Sequence, residues 1–513
     1  MDARPAPALR QVVRDWPRSA AIAGCLAIAL AALASHVYLL TSLPRGFVFD
    51  EAAIGYNAYL IEQTGRDEHD AAWPVAFEST GDYKNALYIY LVALVYKVAG
   101  YSEASTRATS ALCWLSGSVF LYMLGQRLFF ALRARLYLLL CLGFTPWLFT
   151  LSRISFEVIV LYPLLALHLL AVYRAYRELD ERGTRLWAML AGFTIGLCLY
   201  AYSTFRLLAP VHALLVLSCY PRRSYWRRHL LFGGAALLAA LPFITFAMHG
   251  GMSKLTYRFH RLSYLDDAGL SNSSKLVLFV DRYFGYFGWR FLAVNGDANT
   301  RHHTGQYGEL LPSCCLMLVV GAAVLLKNEQ AWRRPFVRLL FAGLLVGPIA
   351  AAMTRDEGHS LRAFSMSIFV ILLSTFGVQQ LERARVTRWL ASAVVLLTAA
   401  NAWVYTQHYF HEYPLISENA MENYGFKQAF LRARALATGK IVVSNKGRAM
   451  YVELLFFDSV LPSKGPRLPA QLGEFEDVQP GDVFVFPAGP NSSAANRAGL
   501  PLGSRYAVRR FGD

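Results

Sequence analysis

Residues 20–51 read AAIAGCLAIALAALASHVYLLTSLPRGFVFDE, a long apolar stretch that ends shortly before two adjacent acids. An α-helix needs about 20 mostly apolar residues to cross a bilayer, and this stretch meets that length. It is too long for the apolar region of a signal peptide and lacks a convincing small-residue cleavage site. We therefore predict a retained membrane helix with Asp50 and Glu51 just beyond its end.

The composition of the whole chain is that of a membrane protein. Of the 513 residues, 55% are hydrophobic and 16% are charged, whereas soluble domains carry about 25% charged residues. The formal net charge of +16 raises the question of a nucleic-acid partner. However, the basic residues lie in short clusters between apolar runs, and the seven cysteines fall mostly inside or at the ends of such runs. The pattern excludes an ordinary cytosolic enzyme and argues against a nucleic-acid partner.

Eleven apolar runs come near the length of a membrane span, and we predict that they are transmembrane helices. They cover residues 20–43, 108–124, 136–151, 158–173, 186–202, 207–220, 230–248, 310–326, 336–353, 364–381 and 389–405. A further run, residues 86–99, has only 14 residues and contains Lys97. If it crossed, the later basic clusters would face outward, although Lys and Arg favour cytoplasmic loops. We therefore expect it to lie at the outer interface as an amphipathic or re-entrant helix.

The same charge rule orients the chain in a bacterial inner membrane. Residues 1–19 are predicted to be cytoplasmic, and residues 20–405 to form the membrane domain. The first outer loop then covers residues 44–106, and residues 406–513 lie on the periplasmic side.

The polar C-terminal region has the pattern of a small α/β domain. The sequences GKIVVS at 439–444 and GDVFVF at 481–486 read as buried strands, and residues 421–436 read as a helix. The predicted fold class is therefore a mainly α, polytopic membrane protein with a small C-terminal α/β periplasmic domain.

Asp50 and Glu51 are the first candidates for chemistry, since apolar neighbours beyond the membrane helix partly desolvate them. Such burial raises the pKa of a carboxyl group and suits a general base. An alternative interpretation is structural: Asp50 caps a helix whose first turn holds both acids at the favourable end of its dipole.

Ionisable residues in the next two outer loops also have two interpretations. Lys84, in GDYK at 81–84, is positioned either to hold a lipid-linked phosphate or to anchor the chain at the interface. Arg153 and Glu157 either form a simple i,i+4 pair or mark a site at the membrane boundary. Arg206 lies in a similar position.

Two later loops carry histidines. His302 and His303 lie near Asp297, which suggests a metal, but adjacent histidines seldom bind one ion and no HExxH-type spacing is present. We therefore predict no metal and no other cofactor. His359 and Arg362, one helical turn apart, form a compact candidate anion site.

In their order along the chain, these motifs resemble the GT-C membrane glycosyltransferases, specifically the protein O-mannosyltransferase and aminoarabinose-transferase type. The resemblance covers roughly residues 20–405. It rests on Asp50-Glu51, GDYK at 81–84, TRATSAL at 106–112, LSRISFE at 151–157, NGD at 295–297 with Arg301-His302, and HSLR at 359–362.

The resemblance implies an inverting enzyme that moves a sugar from a polyprenyl-phosphate donor to an acceptor hydroxyl on the outer face. Asp50 is then the catalytic base with Glu51 beside it, and Lys84 binds the donor phosphate. The further phosphate-binding candidates are Arg153, Arg362 and His359, and the candidates for the sugar or lipid pocket are Tyr56, Asp82, Tyr83, Glu157, Arg206, Arg301 and His302. The implied partners are the lipid donor, the bilayer, and a glycan, lipid or protein acceptor.

Two other hypotheses remain open at this point. A multipass lipid or glycan transporter without glycosyl transfer is expected to carry polar residues inside its helices, whereas these helices are largely Leu, Ala, Val and Phe. An inactive scaffold is the other, because Lys84-Asn-Ala stands where relatives often have Lys-Pro-Pro, and two prolines that fix φ are missing.

Overall fold

The computed structural model describes residues 18–177, 181–383, 386–421, 423–446, 450–460, 468–487 and 505–510. Over these residues the protein is mostly α-helical, with two small sheets. This agrees with the fold class expected from the sequence.

The first part of the chain consists of helices and one short hairpin. It contains α1 (Arg18–Val37), α2 (Phe49–Thr64), β1 (Ala76–Ser79), β2 (Asp82–Asn85), α3 (Ala86–Ala99), α4 (Glu103–Leu128), α5 (Leu132–Phe144) and α6 (Pro146–Leu151). The two strands pair antiparallel, with Phe77 opposite Lys84. Helix α2 ends where Gly65 adopts a φ of 71°, a left-handed conformation that glycine takes without strain.

Helix α2 begins two residues earlier than the capping hypothesis expected. Its first residue is Phe49, so Asp50 lies inside the first turn and does not cap it. Instead, the Glu51 carboxylate accepts the N–H of Val48 at 3.2 Å. The capping function therefore belongs to Glu51.

The middle and later helices complete the membrane domain. They are α7 (Leu161–Arg177), α8 (Glu181–Leu197), α9 (Phe205–Cys219), α10 (Trp226–Phe246), α11 (Met252–Leu262), α12 (Asn272–Gly285), α13 (Pro312–Lys327), α14 (Glu329–Trp332), α15 (Pro335–Val346), α16 (Ile349–Ala352), α17 (Ser360–Ala363), α18 (Met366–Arg383) and α19 (Arg388–His411).

Six segments of the described residues are long and apolar enough to cross a membrane, and three apolar helices are shorter. The long ones are Ser19–Val37, Glu103–Leu128, Glu157–Arg177, Arg223–Leu262, Pro335–Ala352 and Arg388–His411, and the short ones are Ala86–Ala99, Phe205–Cys219 and Pro312–Lys327. A multi-pass membrane protein is thereby confirmed. The orientation of the termini and the interfacial position of α3 stay predictions.

The predicted span 136–151 is interrupted. The run 136–151 divides into α5 and α6 around Thr145 and Pro146, because Pro146 has no N–H to donate to the carbonyl of Leu142. That carbonyl instead accepts the indole N–H of Trp114 at 2.8 Å. The sequence prediction of one continuous helix is wrong here.

The C-terminal region forms the expected α/β domain. Its elements are α20 (Tyr413–Ala420), α21 (Phe426–Leu436), β3 (Ile441–Ser444), α22 (Met450–Val460), β4 (Ala470–Gly473), β5 (Val483–Pro487) and β6 (Tyr506–Arg510). The strand order is β4-β3-β5-β6, with β3 parallel to both neighbours and β6 antiparallel to β5.

Both predicted strands of this domain are confirmed, but the predicted helix 421–436 begins late. Helix α21 starts at Phe426, after Gly425 with a φ of 91°. A left-handed residue cannot continue a right-handed helix, so the chain turns there first.

Candidate active site

A cavity of about 800 Å³ opens between loops and helix ends from distant parts of the chain. It lies at the start of α2, the hairpin β1–β2, α11, the loops before α13 and α17, and the N-terminal end of α22. Elements far apart in sequence therefore meet around one space.

The Lys84 ammonium donates a hydrogen bond to the Asp50 carboxylate at the wall of this cavity. The Lys84 side chain is 5% exposed and that of Asp50 is 20% exposed. Lys84 faces the cavity together with Asp82, since residues i and i+2 of a strand share a face. Two predicted functional residues, 34 positions apart, thus lie in direct contact.

The charge environment reverses the expectation for Asp50. Burial raises the pKa of the Asp50 carboxyl, but the ammonium of Lys84 and the guanidinium groups of Arg258 and Arg301 outweigh burial. The pKa of Asp50 therefore lies below its ordinary value. The expectation of a raised pKa is wrong because it counted the apolar neighbours and not the cations.

Arg258 is a cavity residue that the sequence analysis missed. It lies on α11 and reaches Asp82 at 3.4 Å and Glu157 at 3.9 Å. Arg261, one turn further on, also lines the cavity. A signal was present in the spacing of Lys254, Arg258 and Arg261, which places three cations on one face of a helix in an outer loop.

Glu157 lines the same cavity and is held by the residue that follows Lys84. Its two carboxylate oxygens accept the backbone N–H and the side-chain amide of Asn85, each at 2.6 Å. Arg206 donates to the side-chain amide oxygen (Oδ1) of Asn85 at 2.7 Å. Arg206 is not among the described residues that line the cavity. It therefore contacts Asn85 from the side that faces away from the cavity.

Asp297, His302 and His359 form a compact cluster on another side of the cavity. One carboxylate oxygen of Asp297 accepts the N–H and the hydroxyl of Ser360, at 2.7 and 2.8 Å, and lies 3.0 Å from His302 Nδ1. Burial raises the pKa of Asp297, but the two histidines outweigh it, and the pKa stays below its ordinary value.

The same three side chains offer ligand atoms within 4.8 Å of one another, a grouping that can hold a metal ion. Two of them, His302 and Asp297, are the residues that the sequence analysis weighed, while the third comes from the loop before α17 and not from His303. The Asp297 oxygen accepts two hydrogen bonds from Ser360, whereas the buried Nδ1 atom of His359 has no hydrogen-bond partner among the described residues.

Arg301 and Arg362 are two further cations in the lining of the cavity. The Arg301 guanidinium lies 5.9 Å from the centre of the Phe49 ring, beside Asp50. Arg362 donates to the Thr354 hydroxyl at 2.8 Å and lies 2.6 Å from a carboxylate oxygen of Asp356.

Three other candidates lie outside the described cavity lining. Arg153 points between helices and donates to the carbonyls of Ser35 and Tyr38 at 2.5 and 2.6 Å. Tyr83 points to the opposite face of β2 from Lys84 and packs against Tyr257. The remaining one, Tyr56, packs against the hydrophobic core from α2.

Glu51 also lies outside the lining, directly beside Asp50 in sequence. It is fully buried and paired with Arg107, whose Nε and Nη2 atoms reach its two oxygens at 2.9 and 2.8 Å. The backbone N–H of Ser155 donates to it as well, at 3.0 Å. Its carboxylate is thus occupied by protein groups.

A family model described as dolichyl-phosphate-mannose-protein mannosyltransferase matches residues 84–249. The chain is also similar to a crystal structure of apo ArnT from Cupriavidus metallidurans, with a TM-score of 0.59 and 12% identity over 96% of this chain and 98% of that one. The fold is that of the GT-C glycosyltransferases.

A second structure of ArnT from Cupriavidus metallidurans, bound to undecaprenyl phosphate, gives a TM-score of 0.55 and 14% identity over 95% of this chain and 97% of that one. No curated protein matches the chain by sequence. The GT-C fold covers both the membrane domain and the C-terminal domain, so the cavity lies within the shared architecture.

Proposed function

We propose that the protein is an inverting glycosyltransferase that moves a sugar from a polyprenyl-phosphate donor to an acceptor hydroxyl. The observation that carries the proposal is the contact of Asp50 with Lys84 in a cavity whose walls also hold Arg258, Arg301 and Arg362. A carboxylate in contact with a cation, at a cavity that several other cations line, suits a reaction that needs one base and a binding site for a phosphate. The similarity to ArnT bound to undecaprenyl phosphate supports the same donor class.

The donor phosphate is proposed to bind between Lys84 and Arg258. Both cations lie at the cavity wall beside acids that already attract them, Asp50 and Asp82 respectively. A phosphate that takes part of the charge of Lys84 weakens its contact with Asp50. Because that contact helps to hold the pKa of Asp50 low, donor binding raises the basicity of Asp50 where the acceptor needs it.

The proposed reaction then follows from these positions. The acceptor oxygen forms a bond to the anomeric carbon while the bond from that carbon to the phosphate oxygen breaks. The acceptor proton passes to Asp50, and the polyprenyl phosphate leaves with the electron pair. Arg258, Arg301 and Arg362 stabilise the charge that develops on the leaving phosphate. No covalent enzyme intermediate is needed, so the anomeric centre inverts.

The site is proposed to face the periplasm of a bacterial inner membrane, with residues 44–106 as the first catalytic loop. Glu157, Asp82 and His302 line the cavity and are proposed to contact the sugar. Glu51 is proposed to support Asp50 through the fold and not by touching the substrate, because its oxygens already bind protein donors.

The test is an Asp50→Asn variant, assayed for sugar transfer from a labelled polyprenyl-phosphate donor in proteoliposomes. Loss of a general base predicts a fall in turnover of about 10²- to 10⁴-fold. Asp70→Asn is the matched control, since Asp70 belongs to the same outer loop, is 85% exposed and has a left-handed φ of 63° that asparagine tolerates.

The control is expected to keep full activity and both variants to keep the folded size-exclusion profile. An Asp50→Asn variant with normal turnover would contradict the base assignment. Donor or acceptor flux across the membrane without any glycoside product would instead favour the transporter hypothesis.

A further inference from the structure

The C-terminal domain takes part in the cavity and is not only an attachment to the membrane domain. Three of its described residues, Asn445, Met450 and Tyr451, lie in the wall of the cavity that contains Asp50 and Lys84. They follow the carboxyl end of β3, the central strand of the parallel part of the sheet. Ligands commonly bind at the carboxyl ends of parallel strands.

This wall is fixed relative to the helix that carries Asp50. The ring of Phe456 on α22 lies over Gly55 of α2 so closely that a Cβ atom there would come within 2.4 Å of it. The same ring stacks on Phe47, with the ring centres 4.9 Å apart. A tightly packed contact of this kind prevents the domain from moving independently of Asp50.

A hydrogen bond joins the wall to the hairpin as well. The backbone N–H of Thr80, at the turn between β1 and β2, donates to the hydroxyl of Tyr451 at 2.7 Å. The Tyr451 hydroxyl accepts this bond and keeps its own proton for another acceptor. Thr80 itself lines the cavity, so the contact closes the cavity between hairpin and domain.

The two sides of the cavity differ in chemistry. The membrane domain contributes the ionisable groups, among them Lys84, Arg258 and Arg362, whereas the described residues of the C-terminal domain contribute an amide, a thioether and a phenol. The Asn445 side chain is exposed to the cavity and makes no hydrogen bond with the described residues. An amide and a phenol donate to and accept from hydroxyl groups, and a tyrosine ring offers an apolar face.

We propose that the C-terminal domain forms the acceptor side of the site, and that Asn445 and Tyr451 determine specificity by binding hydroxyl groups of a neutral glycan. This inference rests on the proposed function, because it assigns the charged wall to the donor phosphate. A second phosphate on the acceptor finds no cation among the described domain residues that line the cavity.

Photolabelling tests the assignment independently of turnover. The probe is a short alkyl glucoside that carries a diazirine, used with the full-length protein in nanodiscs. Labelled peptides are expected to contain Asn445 or Tyr451, and unlabelled alkyl glucoside is expected to compete more effectively than its 6-phosphate. Labelling confined to peptides of Lys84 and Arg301, or stronger competition by the 6-phosphate, would overturn the proposal.

Variants separate acceptor binding from donor binding. The double change Asn445→Ala and Tyr451→Phe removes two neutral hydrogen-bonding groups and is expected to lower labelling about tenfold or more. Binding of polyprenyl phosphate, measured on the same samples, is expected to remain unchanged and reports that the fold is intact. Lys446→Ala is the control, because Lys446 is exposed and faces Glu474 at 3.6 Å.

Sugar transfer from the donor distinguishes this proposal from the proposed function. A wild-type protein that binds the glucoside at the domain wall but never moves sugar to it from a labelled polyprenyl-phosphate donor contradicts glycosyl transfer. A protein that releases sugar, and whose double variant labels as strongly as wild type, contradicts the acceptor wall.

Discussion

Two adjacent acids, Asp50 and Glu51, each form an ion pair, but only the pair of Asp50 lies at the cavity. Asp50 faces Lys84 at the cavity wall, where the acid is 20% exposed. Glu51, the next residue, faces Arg107 with both side chains at most 1% exposed. Successive residues of a helix point about 100° apart, so one acid faces the cavity and the other the core.

The two pairs differ in how completely they are bonded. Arg107 donates its remaining N–H groups to the carbonyls of Leu40, Pro44 and Gly46. Glu51 also accepts hydrogen bonds from two backbone N–H groups. Nothing in that arrangement is left for a substrate. Lys84, by contrast, has three donors on one nitrogen and lies at a space large enough for a ligand. An ion pair can therefore act in binding only where its hydrogen-bonding capacity is not already used.

Arg107→Met is expected to have the largest effect of the variants that test this contrast. Removing one partner leaves the charge of Glu51 buried, which costs about 3–5 kcal/mol of stability. The expected result is aggregation or a strongly lowered midpoint in a thermal size-exclusion assay. Arg127→Met, near the end of the same helix α4 and exposed, is expected to behave as wild type. A stable, fully active Arg107→Met protein would remove the distinction between the two pairs.

Lys84→Met is expected to reduce catalysis while leaving the protein folded. The loss of one charge-assisted bond to phosphate, about 1.5–3 kcal/mol, predicts a fall in turnover of about 10- to 100-fold. Binding of polyprenyl phosphate is expected to weaken as well. Lys97→Met, at the exposed end of α3, serves as the control. If Lys84→Met unfolds, and its folded fraction binds phosphate as tightly as wild type, then Lys84 stabilises the fold and does not bind the donor.

The pH profile sharpens the same comparison. Burial raises the pKa of Asp50, and Lys84 is the first of the cations that bring it below its ordinary value. Removing that cation raises the pKa, and a base works only above its pKa, so the acid limb of kcat/KM in Lys84→Met moves to higher pH. Residual activity of Lys84→Met measured from about pH 4 to 8 tests this. An unmoved limb would show that Asp50 is not the group that titrates.

Local sequence patterns predicted most of the helices and the two central strands of the C-terminal domain, and they named Asp50 and Lys84 as candidates without predicting their contact. These features depend on apolar periodicity, on loop charge and on motifs a few residues long. Arg258 was missed because the part of the long loop around residues 252–262 contains no familiar motif. The helix α11 that aims Arg258 at Asp82 is recognised only from the spacing of its cations.

Arg153 and Glu51 illustrate the opposite error, in which a plausible position was taken as a site. Arg153 lies at the expected outer boundary, but the carbonyl groups of Ser35, in the last turn of α1, and of Tyr38, just after it, need donors, and its guanidinium supplies them. Which carbonyls lack partners depends on how distant helices pack. That information is absent from a short motif, so sequence alone does not separate a buried arginine that supports the fold from one that binds a phosphate.

Glu309 adds a third carboxyl group to the comparison, one that lacks a cation. It is fully buried before α13, and one of its oxygens accepts the Asp297 N–H at 3.0 Å. Burial and the nearby charge of Asp297 raise the pKa of Glu309 well above its ordinary range. The folded protein therefore holds the Glu309 proton to higher pH than the unfolded chain, which releases it above about pH 4.

Glu309→Gln is expected to have the smallest effect, and one that depends on pH. Because the folded pKa of Glu309 is raised, wild-type stability falls as the pH rises above the unfolded value. Glutamine keeps an oxygen for the Asp297 N–H and does not ionise, so the stability of the variant is expected to increase relative to wild type as the pH rises from 5 to 8. Thermal size-exclusion midpoints at pH 5 and 8 measure this, with the exposed Glu476→Gln as the control. Equal pH dependence in Glu309→Gln and wild type would mean that Glu309 ionises in the fold and that a buried acid here does not need the cation that Glu51 has.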